Sequence, residues 1–209
     1  MFEILTGTGL AVAAGLNAYI PLLILGLGGR FFDFVELPAA WSWLENEWVL
    51  VILGVLFVIE VVADKIPVVD SINDWIQTLV RPAAGGIAFG TGSSSGTAVV
   101  TDPASFFTSN AWVPVAIGVL LALGTHVAKM ASRPALNLMT FGAAAPVTSA
   151  AEDVSGIILS FLAILSPVLV LFALAGVVVG FVAIFRRAGR KRREKKLALK
   201  QESSEELAL

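Results

Sequence analysis

The chain has 209 residues, of which 57% are hydrophobic and only 14% are charged. A soluble domain of this size carries roughly a quarter charged residues, so the composition excludes a soluble globular protein and predicts an integral membrane protein. The formal net charge of −2 hides an acidic body and a basic tail, and the absence of cysteine excludes disulfides and thiolate chemistry.

Apolar stretches near the ~20 residues that a helix needs to cross a bilayer recur along the chain. They lie at 4–28, 48–65, 82–101, 112–131 and 154–185, with a shorter candidate at 134–151. The predicted fold is therefore all-α, a polytopic membrane helix bundle with five to six transmembrane segments. The first stretch lacks the basic region of a secretory signal and carries Glu3, which predicts a retained span.

Two amides and two prolines interrupt these apolar stretches. Asn17 and Asn137 lie among apolar residues, so each amide must bond across helices or bind a solute. Pro21 and Pro167 are expected to break two spans and to free backbone carbonyls that could line a cavity.

Acidic residues follow the second apolar stretch. Glu60 and Asp64 are spaced one helical turn apart, which places both on one face of the span. Lys65 could join a site or extend its ammonium group to the membrane surface. Residues 70–81 have the pattern of an amphipathic helix in the membrane interface, with Asp70 and Asp74 expected in solvent.

An internal repeat organises the middle of the chain. Residues 48–65 align without a gap on 112–129, with seven of eighteen positions identical, and 81–90 align on 133–142 through Arg-Pro-Ala and Phe-Gly. The repeat predicts two related halves, about 48–90 and 112–142, with a site between them. The copies are parallel if 82–101 and 134–151 both cross the membrane, and inverted if both are re-entrant.

The fourth apolar stretch carries a basic stripe. His126, Lys129 and Arg133 follow at i, i+3 and i+7, and so share one helix face. An unpaired charge inside a membrane costs several kcal/mol, on the order of 3 or more at the bilayer centre. The stripe is therefore predicted to face the carboxylates of Glu60 and Asp64.

Other motifs have structural interpretations. Ser149 and Glu152 form a capping box, whereas Asp153 is free to face the basic stripe. Small residues at i, i+4 spacing in the first and third stretches indicate close helix packing. With a single histidine and no zinc-type spacing, neither a metal nor a cofactor is expected. No nucleophile elbow supports an enzyme.

The C-terminal tail is strongly basic. Nine of the fourteen Lys and Arg residues lie in 186–200, whereas residues 1–185 hold five cations and twelve carboxylates. Residues 1–185 are thus predicted to form the transmembrane domain, and 186–209 a partly disordered tail. The tail is expected in the cytoplasm against anionic lipid headgroups, and not on nucleic acid.

Four stretches together resemble a family of bacterial integral membrane proteins catalogued as domain of unknown function 4126. They are GLNAYIPLLILGL (15–27), EVVADKIPVVDSINDWIQTLVRPAAG (60–85), HVAKMASRPALN (126–137) and PVTSAAEDVSGIILSFLAILSP (146–167). The resemblance implies multiple membrane helices and supplies no established activity. A bacterial inner membrane is the predicted location. The Gly- and Ser-rich third segment departs from the family pattern.

Three functions fit these features. The first is a small-solute or ion transporter or channel in the bilayer. Its candidate site residues are Glu60, Asp64, Lys65, His126, Lys129, Arg133, Asn137, Asp153 and Asn17. The second is a lipid-handling or structural protein whose charges only lock helices, with a homo-oligomer possible. The third is a membrane enzyme acting on lipid headgroups.

Overall fold

The computed structural model describes residues 1–32, 35–93, 110–140 and 145–206, and all regular secondary structure within these ranges is helical. Seven α-helices and one 3₁₀ helix are described there. In chain order they are α1 (Phe2–Leu16), α2 (Tyr19–Phe31), the 3₁₀ helix (Ala39–Glu45), α3 (Glu47–Ala63), α4 (Pro67–Gly92), α5 (Trp112–Thr140), α6 (Ala145–Leu165) and α7 (Pro167–Glu206).

The first apolar stretch is broken at Asn17, four residues before the proline that is predicted to break it. Asn17 is extended and ends α1. Its side-chain Oδ1 accepts from the backbone N–H groups of Tyr19 and Ile20, which begin α2. Pro21 lies in the first turn of α2, where the missing N–H costs no helical hydrogen bond. The buried amide therefore sets the break.

The acidic segment after α3 differs from its predicted form. Residues 70–81 do not form a separate interfacial helix, because α4 begins at Pro67 and continues through Pro82 to Gly92. Its apolar side chains point outward: Trp75 is 76% exposed and Leu79 is 80% exposed. Asp74 and Arg81 are buried, so the expectation that Asp74 is solvated was wrong. An outward apolar face is the arrangement that a lipid surrounding favours.

The last helices also have boundaries other than those predicted. The candidate 134–151 is not one unit: residues 134–140 end α5, and α6 begins at Ala145. The stretch 154–185 is divided at Ser166, and Pro167 is the first residue of α7. This helix continues through most of the basic tail to Glu206. Lys, Arg, Ala, Leu and Glu in the tail are strong helix formers.

Helix α1 packs against α4, α5, α6 and α7, and its small residues lie in the core. A Cβ added at Gly15 would lie 2.6 Å from the carbonyl oxygen of Ala122, and one at Gly7 would lie 3.0 Å from that of Phe89. Gly85 and Gly118 bring α4 and α5 equally close. The packing role predicted for the small residues is confirmed at these contacts. Gly96, also assigned to packing, lies outside the described residues.

Within the described ranges, two helical segments are long and apolar enough to cross a membrane, Trp112–Arg133 and Pro146–Leu165. A third crossing is added if the 3₁₀ helix and α3, which meet at 66°, form one broken span. Phe2–Leu16, Tyr19–Phe31 and Pro167–Gly180 are shorter apolar helices. These segments identify a helical membrane protein.

Candidate functional site

A buried network of charged side chains joins the end of α3 to α4, α5 and α6. Its members share ion-pair contacts, and we call them the charge network: Glu60, Asp64, Asp74, Arg81, Lys129, Arg133 and Glu152. Arg81 and Lys129 have no exposed surface, and Glu60 is only 1% exposed. Such deep burial of full charges is tolerated only when each charge is paired.

Asp64 is the centre of the network. It caps the C-terminus of α3, and its Oδ2 lies 3.0 Å from Lys129 Nζ and 3.2 Å from Arg133 Nη2. Arg81 Nη2 lies 3.7 Å from the same oxygen. The other oxygen, Oδ1, accepts from Nδ2 of Asn73 at 2.9 Å. The single carboxylate of Asp64 therefore contacts three cations.

Arg81 connects α4 to α3 and to α5. Its Nη2 and Nε lie 2.8 Å and 3.3 Å from Glu60 Oε1, so the contact uses two donors on one carboxylate oxygen. Its Nη1 lies 2.9 Å from Nδ1 of His126. Because arginine only donates, Nδ1 accepts and the ring proton belongs on Nε2. His126 is therefore a neutral acceptor in the network and not one of its cations.

The second ring nitrogen of His126 faces α4. Nε2 lies 3.2 Å from the carbonyl oxygen of Asp74 and 3.1 Å from Oγ1 of Thr78. Thr78 in turn donates to the Asp74 carbonyl at 2.8 Å. Both ring nitrogens thus have partners on α4, and Ser132 Oγ donates to the Lys129 carbonyl at 2.8 Å. With the ring proton on Nε2, this nitrogen donates toward α4.

Lys129 and Arg133 carry the network to α6. Lys129 Nζ contacts Asp64 at 3.0 Å, Glu152 at 2.9 Å and the carbonyl oxygen of Leu16 at 3.1 Å, so all three of its donors are used. Arg133 contacts Glu152 Oε2 at 3.2 Å and Asp74 Oδ2 at 3.3 Å. These ion pairs join α3, α4, α5 and α6 at one place.

An amide–carboxyl pair lies next to the network at the α1–α2 break. Asn17 Nδ2 donates to Asp153 Oδ1 at 2.9 Å, and both side chains are buried. Asp153 was predicted to face Lys129 or Arg133, but its hydrogen bond is to Asn17. Glu152 makes those contacts instead. It lies inside α6 and not at its N-terminus, so the capping-box interpretation was wrong.

The structure brings together five of the predicted site residues: Glu60, Asp64, His126, Lys129 and Arg133. Asn17 and Asp153 adjoin them as a pair. For Lys65 the described residues show a different contact, in which its Nζ donates to the carbonyl of Val61 in the preceding turn. The side chain of Asn137 lies outside the described residues.

Three members of the charge network were not among the predicted site residues: Arg81, Asp74 and Glu152. A signal existed for Arg81, since it opens the Arg-Pro-Ala motif that the repeat aligns with Arg133. Asp74 lies seven residues before Arg81, on the same helix face. No comparable pattern marks Glu152, whose spacing from Ser149 fitted a cap equally well.

The network has more acidic than basic groups. Among the described residues, its ion pairs join four carboxylates and three cations, with His126 neutral. Two of the buried carboxylate oxygens, Glu60 Oε2 and Asp74 Oδ1, have no hydrogen-bond partner among the described residues. A buried acceptor without a partner is costly, and one further positive charge would balance the network.

The donor set does not favour a divalent or transition metal. In the described ranges, no group of three or more His, Asp or Glu side chains is arranged to hold a metal ion. The excess carboxylate can instead take a proton, or a monovalent cation bound by a few oxygens. The arrangement is suited to proton or ion binding.

These features define the class: a helical membrane protein with a buried ion-pair network among four helices. The chain belongs to the family described as a domain of unknown function (DUF4126), whose model matches residues 4–187. The resemblance seen in the sequence is thereby confirmed. Comparisons with curated proteins and with solved structures gave no match.

Proposed function

We propose that this protein is a multi-pass membrane transporter that binds a proton or a monovalent cation at the charge network. The observation that carries the proposal is the excess of one buried carboxylate, together with the unpartnered oxygens of Glu60 and Asp74. A network that only locks helices is most stable when its charges balance. A network with one carboxylate in excess can bind a mobile positive charge.

The repeat supports a site between two halves. Arg81 and Arg133 open the two aligned Arg-Pro-Ala motifs, and both contact Asp64. Transporters built from repeats commonly bind ions where the halves meet. The proposal includes five to six crossings, a bacterial inner membrane and a cytoplasmic C-terminus, which the basic tail favours.

The competing function is a structural one. It is favoured by the complete burial of Arg81 and Lys129, because closed ion pairs hold helices without needing a solute. The two functions predict different effects of neutralising an unpartnered acid. A transporter loses flux when Glu60 is neutralised, whereas a structural protein has no flux to lose.

The test is an ion-flux measurement on purified protein in sealed liposomes, under imposed gradients of protons, Na⁺ or K⁺. We expect wild-type protein to carry one of these ions, and Glu60→Gln and Asp74→Asn to abolish the flux while remaining folded. Glu47→Gln is the matched control, since Glu47 is exposed and pairs with Arg30 on the surface. Absence of flux in the wild type for all three ions would leave the structural function.

A further inference from the structure

The first two helices are each shorter than a membrane crossing. α1 has 15 residues and α2 has 13, so at 1.5 Å per residue they are roughly 22 Å and 20 Å long. The hydrocarbon core of a bilayer is about 30 Å thick. The two helices cross it if they continue in one direction through the break at Asn17, and they return to the side of entry if they reverse there. The contacts of their outer ends distinguish these two paths.

α1 begins at the end of the bundle that is far from the charge network. A Cβ added at Gly92, the last residue of α4, would lie 3.1 Å from the backbone nitrogen of Gly7. Arg81 of the network lies roughly 16 Å earlier along α4. At the other end of α1, the carbonyl oxygen of Leu16 accepts from Lys129 Nζ at 3.1 Å. α1 therefore runs toward the network.

α2 runs back to the end of the bundle where α1 begins. Its Arg30 pairs with Glu47, the first residue of α3, at 3.3 Å. Asp64 of the network caps the opposite end of α3, about 26 Å away along the helix. Trp41, in the 3₁₀ helix between α2 and α3, lies 3.0 Å from a Cβ added at Gly90, near the far end of α4. α1 and α2 thus form a hairpin.

The tip of this hairpin is surrounded by protein. We define the tip as Leu16, Asn17 and Ala18, of which the last two have no exposed surface. The Asn17 N–H donates to the Ala13 carbonyl at 2.9 Å, and the Asn17 side chain begins α2 and donates to Asp153. Non-helical backbone at membrane depth is tolerated only where protein or water surrounds it. The tip meets this condition.

The tip also completes the charge network. Lys129 Nζ uses two of its donors on the carboxylates of Asp64 and Glu152, and the third on the carbonyl of Leu16. If the tip moved away, this third donor would lose its partner and Lys129 would face the space that the tip had filled. The tip therefore covers the network from the side on which α1 begins and α2 ends.

We propose that α1 and α2 form a re-entrant hairpin, which enters from the membrane side that bears the 3₁₀ helix and closes the charge network at its tip. This hairpin replaces the single crossing predicted for residues 4–28. Asn17 holds the tip closed, because its amide bonds to Asp153 on α6 while its oxygen begins α2. The closure of the network rests on the proposed ion site, whereas the path of the chain does not.

The path of the chain is tested with single-cysteine variants of the full chain, labelled in sealed vesicles by a membrane-impermeant maleimide. Glu3→Cys and Ser42→Cys place thiols at exposed positions near the start of α1 and in the 3₁₀ helix. Val68→Cys places one at the network end of α4. We expect Glu3→Cys and Ser42→Cys to be labelled from one side and Val68→Cys from the other. Any other pattern overturns the proposal, and labelling of Glu3→Cys and Ser42→Cys from opposite sides would show a single crossing.

The closure is tested by the rate at which the same maleimide labels a thiol at the tip. Ala18→Cys should react slowly, and adding Asn17→Ala should raise its rate about tenfold from the Glu3 side, because a helix cap and a buried hydrogen bond are lost. Ala88→Cys is the matched control, since Ala88 is equally buried but lies on α4. Its rate should not change. An unchanged rate at Ala18, or equal acceleration at Ala18 and Ala88, would overturn the closure. Neither rate depends on ion flux, so a protein that carries no ion leaves both tests valid.

Discussion

Lys129 Nζ lies 3.0 Å from Oδ2 of Asp64, and this buried contact ties the middle of α5 to the end of α3. Asp64→Asn removes the carboxylate that three cations share. We expect it to lower the free energy of unfolding by about 3–5 kcal/mol, because uncompensated charge is left buried. Adding Lys129→Gln should restore part of the loss. Thermal unfolding in detergent measures both changes.

The control for this pair is the surface contact between Arg30 and Glu47, at 3.3 Å. Glu47→Gln should change stability by less than about 1 kcal/mol, since exposed ion pairs contribute little. If Asp64→Asn were no more destabilising than Glu47→Gln, the network would not hold the helices together.

The contact itself was predictable from the sequence. Glu60 and Asp64, and likewise His126, Lys129 and Arg133, follow helical spacing, and spacing of this kind is a local property of the chain. Because an unpaired charge is costly inside a membrane, the acidic face and the basic face are expected to contact each other. The structure confirms the meeting through Asp64, and it corrects the role of His126, which accepts from Arg81.

The orientation of α4 was not predictable in the same way. Its amphipathic pattern shows that Asp74 and Arg81 oppose Trp75 and Leu79, but not which side faces the protein. In water the apolar side turns inward, whereas in lipid the polar side does. The exposed Trp75 and buried Arg81 follow the lipid arrangement. The orientation of α4 depends on the neighbouring helices, because they supply the partners of Arg81, and these partners are not visible in the sequence of α4 alone.

The protonation of His126 can be tested directly, because it is the only histidine. Donation from Arg81 to Nδ1 requires a neutral ring with its proton on Nε2. Nitrogen-15 NMR of histidine-labelled protein should show this tautomer, with a non-protonated Nδ1. Arg81→Gln should alter the Nδ1 resonance more than the Nε2 resonance. A protonated Nδ1 in the wild type would contradict the assigned hydrogen bond.

Topology can be tested with single cysteines, since the chain has none of its own. Positions 68 and 131 lie close in sequence to Asp64 and Arg133, whose side chains are 3.2 Å apart. Val68→Cys and Ala131→Cys should therefore be labelled by a membrane-impermeant thiol reagent from the same side of the membrane. Labelling from opposite sides would exclude the parallel arrangement of the two repeat copies.

Two glycines that the predicted repeat aligns, Gly54 and Gly118, have different surroundings. A Cβ at Gly118 would collide with the backbone of Gly85 on α4, whereas a Cβ at Gly54 meets nothing within 4 Å. Gly118→Ala should thus force α4 and α5 apart and lower stability by about 1–3 kcal/mol. Gly54→Ala should raise it by up to about 1 kcal/mol, the helix-propensity gain of alanine.

Thermal unfolding of the two variants side by side is the measurement, because they make the same chemical change at aligned positions. Gly124→Ala is a second unobstructed site and lies on the same helix as Gly118, so it separates the α4 contact from any general effect on α5. We expect Gly124→Ala to behave like Gly54→Ala. Equal loss of stability at Gly54 and Gly118 would mean that both copies of the repeat pack closely against a neighbour, and that the open surroundings of Gly54 are filled in the membrane by another helix or a second copy of the chain.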